Sequence, residues 1–396
     1  MSRGTAVPLL GLALTLFLAL VTPASAAGTQ TYPMPRTGTV TIAGHGYGHG
    51  HGMSQYGAEG AARQGLGWPQ IVRFYYPGTT VRTRNPRVRV LISADTSRDV
   101  VVSPRSGLRA RDTGSGETWQ LPENGADRWR FDVAGSGRTA LAYRKGGTWR
   151  RFALLEGDGF FAAKGKPIRL HLGTTSKLYR GRLFSARPSA GSTDRDTVNA
   201  LRLNAYVKGV VPHEIPVSWQ PAAVRAQAVA ARTYAAYERG HPRAGHYQLC
   251  DTSSCQVYGG YGAEDPRSND AVRATRKRIL VDSSGEPAFT QFGSSNGGWT
   301  SANRFSYLPA QQDPYDGWSG NPVHDWRVRM DVSRIEKAFP ALGNLREIRV
   351  TERDGNGQWG GRVRTLVLDG GKADIRVSGD TFRLRLGLRS TWFSFP

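Results

Sequence analysis

Residues 210–239 read VVPHEIPVSWQPAAVRAQAVAARTYAAYER, and the second half of this stretch is the clearest helix in the chain. Proline at 221 pre-sets the first turn; alanine, arginine and glutamine fill the interior; Gly240 and Pro242 end it. Ala222, Ala226 and Ala230 recur every four residues, so one face admits close approach of another backbone, while Arg225 and Arg232 share a different face. Just before the helix, Glu214 stands in an apolar frame of Val210, Val211, Ile215, Pro216 and Trp219. Burial disfavours a charged carboxylate, which suits a general acid, although a lone glutamate before a helix is more often a cap or an ion-pair partner.

Outward from this stretch, short β-prone runs dominate. Val88–Ser93, Val100–Ser103, Trp129–Ala134 and Ile168–Leu172 are separated by Gly, Asp and Ser, and Ala190–Thr197 reads as a loop. Downstream, Arg278–Val281 and Ala288–Phe292 read as strands, Gly293–Asn303 as a loop and Ser333–Phe339 as a short helix. The segments LREIRVTER, RVRTLVLD, ADIRVSG and FRLRLGL return to β patterns. Upstream, Thr39–Ile42 is strand-like. A helix is expected from Ser54 as N-cap to Gly65, and a second from Trp68-Pro69 to before Tyr76. The expected class is α+β: mixed or antiparallel sheets with a few helices and a substrate cleft. The expected divisions are a leader (1–26), a helical element (27–83), a β-rich region (84–190) and a lobe carrying Glu214 (191–396).

The leader combines Arg3, an apolar run from Val7 to Val21 and the small-x-small pattern Ala24-Ser25-Ala26. The run is short for a membrane span, so it predicts a cleaved export signal, a mature chain from about Ala27, a secreted or cell-wall location and no integral membrane anchor after processing. With 53 Lys+Arg against 31 Asp+Glu, the formal charge is +22. Such a field attracts polyanions; export argues against nucleic acid and for anionic wall polymers.

Two long stretches, VVPHEIPVSW…AVRAQAVAARTYA and GHGYGHGHGMSQYGAEGAARQG…IVRFYYPGT, with the loop FGSSNGGWT and the tail GDTFRLRLGLRSTWFSF, resemble the SpoIID/LytB family of cell-wall proteins. Here the GHGxGMSQYGA element lies near the N-terminus, where the family order places it after the LGLRST-like tail, so residues 44–80 must pack against the lobe of 201–396. The resemblance implies a lytic transglycosylase cleaving MurNAc–GlcNAc bonds of peptidoglycan glycan strands, with Glu214 as acid and base and Arg232 fixing it or the substrate. Its LytB branch implies the alternative of a non-catalytic partner that enhances a cell-wall amidase. His49, His51, Ser54, Gln55, Tyr56, Ser295 and Asn296 are the implied cleft residues; His45, with His49 and His51, also has a spacing possible for a metal. His246, Cys250 and Cys255 match a zinc set of some family members, and a Cys250–Cys255 disulfide is the competing reading.

Overall fold

The computed structural model describes residues 28–122, 125–135 and 137–396; the leader and its cleavage position lie outside them. The helices around Glu214 are α1 (Gln55–Arg63), α2 (Trp68–Tyr75), α3 (Leu203–Lys208), α4 (Val211–Glu214) and α5 (Pro221–Gly240). The Ser54 hydroxyl caps α1 by accepting the Gly57 N–H at 3.0 Å, and Pro69 starts α2, as those residue types dictate. Helix α5 is buried over most of its length, 13 of its 20 residues, and its alanines admit α1, α2 and the strand Arg278–Val281 against it.

The β-rich region forms two sheets. The first has the order Leu249–Cys250, Arg87–Leu91, Asp196–Arg202, Arg182–Ala186, Gly159–Ala162, Arg109–Asp112, Thr118–Gln120, antiparallel except for its first pair. The second runs Thr148–Leu154, Thr139–Lys145, Arg128–Val133, Val100–Val102, Ile168–Leu172, Thr175–Tyr179. Val88, Val90, Phe161 and Leu183 of the first sheet and Trp129, Phe131 and Leu170 of the second join one core with α1, α2 and α5. That core crosses positions 84 and 191 without a break. The architecture is α+β, with antiparallel and mixed sheets.

A second core gathers the four-stranded sheet Gln30–Pro33, Leu345–Arg353, Val363–Gly370, Ile375–Ser378 and the helices Val332–Ala338 and Gly379–Leu386. The last of these corrects the sequence reading. The alternation in FRLRLGL suggests a strand, but Ser378 caps a helix by accepting the Thr381 N–H, and Gly387 closes it in the left-handed region. Of Ala288–Phe292, only Phe292 enters a strand, Phe292–Gly293, beside Met53–Ser54.

The N-terminal segment is woven into the later chain. Thr39–His45 is the middle strand between Asp325–Asp331 and Phe393–Ser394, Met53–Ser54 pairs in parallel with Phe292–Gly293, and Thr80–Thr83 pairs with Arg278–Val281. Glu59 of α1 reaches across to α5: its buried carboxylate accepts the Gln220 N–H at 2.8 Å and Arg63 Nε at 2.8 Å. Gln220 gives α5 no side-chain cap of its own, so an acid from the N-terminal segment meets the helix's positive end.

Candidate functional site

Glu214 is the last residue of α4, between Pro212 and Pro216, and its neighbours Val211 and Ile215 are buried. Anchored this way, its carboxyl enters a groove of about 280 Å³ lined by His49, Tyr234, Ser253, Ser254, Cys255, Gln256, Val257, Gln291 and Phe292. One carboxylate oxygen accepts the Val257 N–H at 3.2 Å. Burial lifts the carboxyl from its usual range to about 7, and the Val257 bond offsets this only in part. Among the described residues, no second carboxylate lines this groove. The arrangement suits a group that gives up a proton and takes one back near neutral pH.

His49 lines the same groove. Its Nδ1 accepts the His51 N–H at 2.9 Å, so the ring proton sits on Nε2. The two imidazoles stack at 5.1 Å. Burial, and then His51, Arg362 and Arg383, push His49 down to about 3, so it stays neutral at any working pH. His51 is also lowered, chiefly by burial, and its Nδ1 lies 2.9 Å from the Ser301 carbonyl. His45 faces another hollow, between the rings of Trp359 and Trp392 at 4.7 Å each, with Asp325 2.6 Å from Nδ1 and Gln358 2.7 Å from Nε2. The three histidines therefore do not converge on one centre. The glycines between them have a steric reason: Gly46 sits at φ +73°, and a Cβ there would lie 2.7 Å from the Ser295 carbonyl oxygen. Tyr47, two residues past the strand Thr39–His45, is half exposed.

Three of the expected cleft residues lie elsewhere. Ser54, Ser295 and Asn296 are almost fully buried around Asp316. The Asp316 carboxylate accepts from Ser54 Oγ at 2.5 Å, Ser295 Oγ at 2.8 Å and the Asn296 N–H at 3.2 Å, with His324 Nδ1 at 2.8 Å. Asn296 Nδ2 donates to Asp313, as does the Tyr75 hydroxyl, each at 2.7 Å. Burial and then Asp316 raise Asp313 to about 6. These groups bolt the loop 293–303 to the N-terminal helices; the sequence patterns flag serine and asparagine there but not the distant aspartates that claim them. Gln55 is buried, and Tyr56 packs on Trp219 at 4.8 Å while its carbonyl accepts the Trp318 indole N–H.

Arg232 is also repositioned. Its guanidinium is fully buried and donates to Asn204 Oδ1 at 3.0 Å and to the carbonyls of Arg278 and Val272, so none of these bonds goes to Glu214. Burial lowers it to about 9. It pins α5 to the strand and helix behind it.

Cys250 and Cys255 form a disulfide, and His246 Nε2 lies 2.6 Å from Asp196 Oδ2. With both sulfurs in the bridge and the imidazole turned to a carboxylate, the His246, Cys250, Cys255 set does not fit a zinc ion in this oxidation state. Among the described residues, no group of three His, Cys, Asp or Glu side chains is arranged to hold a metal. The bridge serves the groove instead: Cys255 lines it, two residues before the Val257 N–H that meets Glu214.

Residues 192–281, which include Glu214, Arg232 and the disulfide, match the family model of the Stage II sporulation protein, SpoIID. The chain is 49% identical over 233 residues to Stage II sporulation protein D of Bacillus subtilis (strain 168), covering 51% of this chain and 63% of that protein. Against Stage II sporulation protein D of Bacillus amyloliquefaciens it is 29% identical over 226 residues, 51% and 62% of the two chains. It is 38% identical over 141 residues to an amidase enhancer of Bacillus subtilis (strain 168), covering 34% of this chain and 19% of that one. The matches thus span from about a fifth to just under two thirds of these relatives' lengths.

Proposed function

Taking as premise that the chain is a relative of the SpoIID/LytB family, we propose that it acts in the cell envelope as a peptidoglycan lytic transglycosylase with Glu214 as its single acid and base. The observation that carries this reading is the Glu214 carboxyl, lifted to about 7 by burial, in a groove that no other described carboxylate lines. Ordinary glycosidases need two carboxylates, one protonating the leaving oxygen and one activating or supplying a nucleophile. One suffices when the sugar supplies the nucleophile. Glu214 gives its proton to the glycosidic oxygen as the C1–O bond breaks; the C6 hydroxyl oxygen then bonds to C1, and its proton passes to the Glu214 carboxylate. The product is a 1,6-anhydro end and the carboxyl is restored. Neutral His49 and the Ser253–Val257 wall supply the uncharged polar surface that a glycan strand needs. The likeness to an amidase enhancer favours the second reading, a wall-bound partner of an amidase. Incubating the purified protein alone with glycan strands stripped of stem peptides separates the two: the first predicts anhydro-ended fragments, the second none, with stimulation only when an amidase is added.

A further inference from the structure

On the seven-stranded sheet, register places six arginines on one face. Arg89 and Arg182 both pair with Ala200, Arg182 and Arg109 both pair with Ala162, and Arg87 pairs with Arg202; Arg111 lies two residues from Arg109. Residues directly opposite, or two apart on one strand, share a face. The other face, with Val88, Val90, Leu183 and Phe161, belongs to the core, so the arginine face is outward. Its centre is a groove of about 300 Å³ bordered by Arg87, Arg109, Arg111, Lys164 and Arg182 over Phe160.

Among the described residues, none of the six arginines forms an ion pair with a carboxylate. Asp196, at one end of the face, is taken up by His246, and Glu117 stands exposed in the hairpin beyond Arg111. Arg109 Nε is buried without a hydrogen-bond partner, and Arg182 and Arg89 lie over the rings of Phe160 and Phe184 instead of meeting acids. Burial, followed by Arg87, Arg111 and Arg109, lowers the Arg182 guanidinium, so the cations feel one another. Folding has gathered like charges without neutralising them, which is unfavourable unless an anion completes the surface. The rows repeat at about 5 Å across strands and about 7 Å along them, a grid suited to a chain of regularly spaced anions more than to a single ion. Arginine forks suit phosphate oxygens, which they grip in pairs.

We propose that this sheet face is a docking surface for a linear phosphodiester polymer of the cell wall, separate from the Glu214 groove. The choice of a wall polymer over nucleic acid rests on the cell-envelope reading above; the face itself does not.

The test measures binding of the full processed chain to fluorescent poly(glycerol phosphate) across a salt series. Wild type is compared with the triple variant Arg109→Gln/Arg111→Gln/Arg182→Gln. A control variant, Arg36→Gln/Arg73→Gln/Arg276→Gln, removes the same charge from exposed positions elsewhere. Circular dichroism confirms that each folds, and anhydro-end release reports on the other groove. The proposal expects roughly tenfold or greater weakening at physiological salt and a log-log salt slope shallower by about two to three for the face variant. It expects little change for the control and unchanged cleavage in both. Equal loss in the two triples, or none in the face variant, would overturn the site. Tighter binding of double-stranded DNA or polygalacturonate than of poly(glycerol phosphate), at matched charge concentration, would overturn the assigned polymer.

Discussion

The Glu214 carboxyl binds its proton more tightly in the folded chain than in the unfolded one, so its titration acts on both rate and stability. In the proposed cycle the acid starts protonated, so kcat/KM is expected to fall as pH rises through about 7, and a pH–rate profile on purified glycan checks for that limb. The stability sign is the reverse of a salt-bridged carboxylate. Because the folded value lies above the unfolded one, stability is lost as pH climbs from about 4.3 toward 7, costing up to roughly 3 kcal/mol by pH 8. Glu214→Gln is therefore expected to abolish the proposed cleavage and to raise the melting temperature by a few degrees at pH 8, with little gain at pH 4.5. Calorimetry at the two pH values checks this; equal gains at both would remove burial as the cause. His49→Ala is expected to slow cleavage while leaving the limb near 7 in place, because His49 is neutral throughout that range. A shifted limb would show that His49 sets the Glu214 proton affinity. The apolar frame of Glu214 anticipated a buried carboxyl, whereas its choice over a structural glutamate came from the motif resemblance. The displacement of Arg232, Ser54, Ser295 and Asn296 from the cleft was not legible, because their partners Asn204, Asp313 and Asp316 come from remote segments whose meeting no local pattern encodes.

Helix α5 and the disulfide loop determine what Glu214 faces. The bridge closes a loop far shorter than 15 residues, for which the entropic gain would be about 3 kcal/mol, so its contribution to global stability is smaller than that. Cys250→Ser/Cys255→Ser should thus slow cleavage much more than it lowers the melting temperature, because the loop aims the Val257 N–H at the carboxyl. A denatured thiol assay should find no free thiol in the oxidised protein, and elemental analysis no stoichiometric zinc; one bound zinc with two free thiols would refute the bridge. At the other end of this region, Glu59→Ala removes the acid that meets the start of α5 and is expected to destabilise the protein by about 1–2 kcal/mol, read by denaturant titration. Helices α1, α2 and α5 were legible because Ser54, Pro69 and Pro221 mark their starts. The helix Gly379–Leu386 was missed because arginines alternating with apolar residues mimic a strand, while the decisive signals are the caps at Ser378 and Gly387.

At the scale of the whole molecule, the N-terminal segment is a structural member of the fold. Met53, Ile71, Val72, Tyr75 and Tyr76 are buried in the larger core, each contributing roughly 1.5–3 kcal/mol. Their sum, an upper estimate, is comparable to the 5–15 kcal/mol that holds a typical domain folded. The segment's strands and helices meet later ones through the sheet pairings and the Asp316 cluster, contacts that do not depend on its place along the chain. The motifs announced that residues 44–80 must meet the Glu214 lobe, but not that one core would also take in the two β-sheets. The central claim is that one buried carboxyl cleaves glycan by lyase chemistry. Its most direct measurement is mass spectrometry of products released from stem-free glycan strands by the purified protein and by Glu214→Gln. Wild type is expected to release 1,6-anhydro ends and the variant none. Reducing ends without the anhydro ring, or anhydro release that survives the substitution, would contradict it.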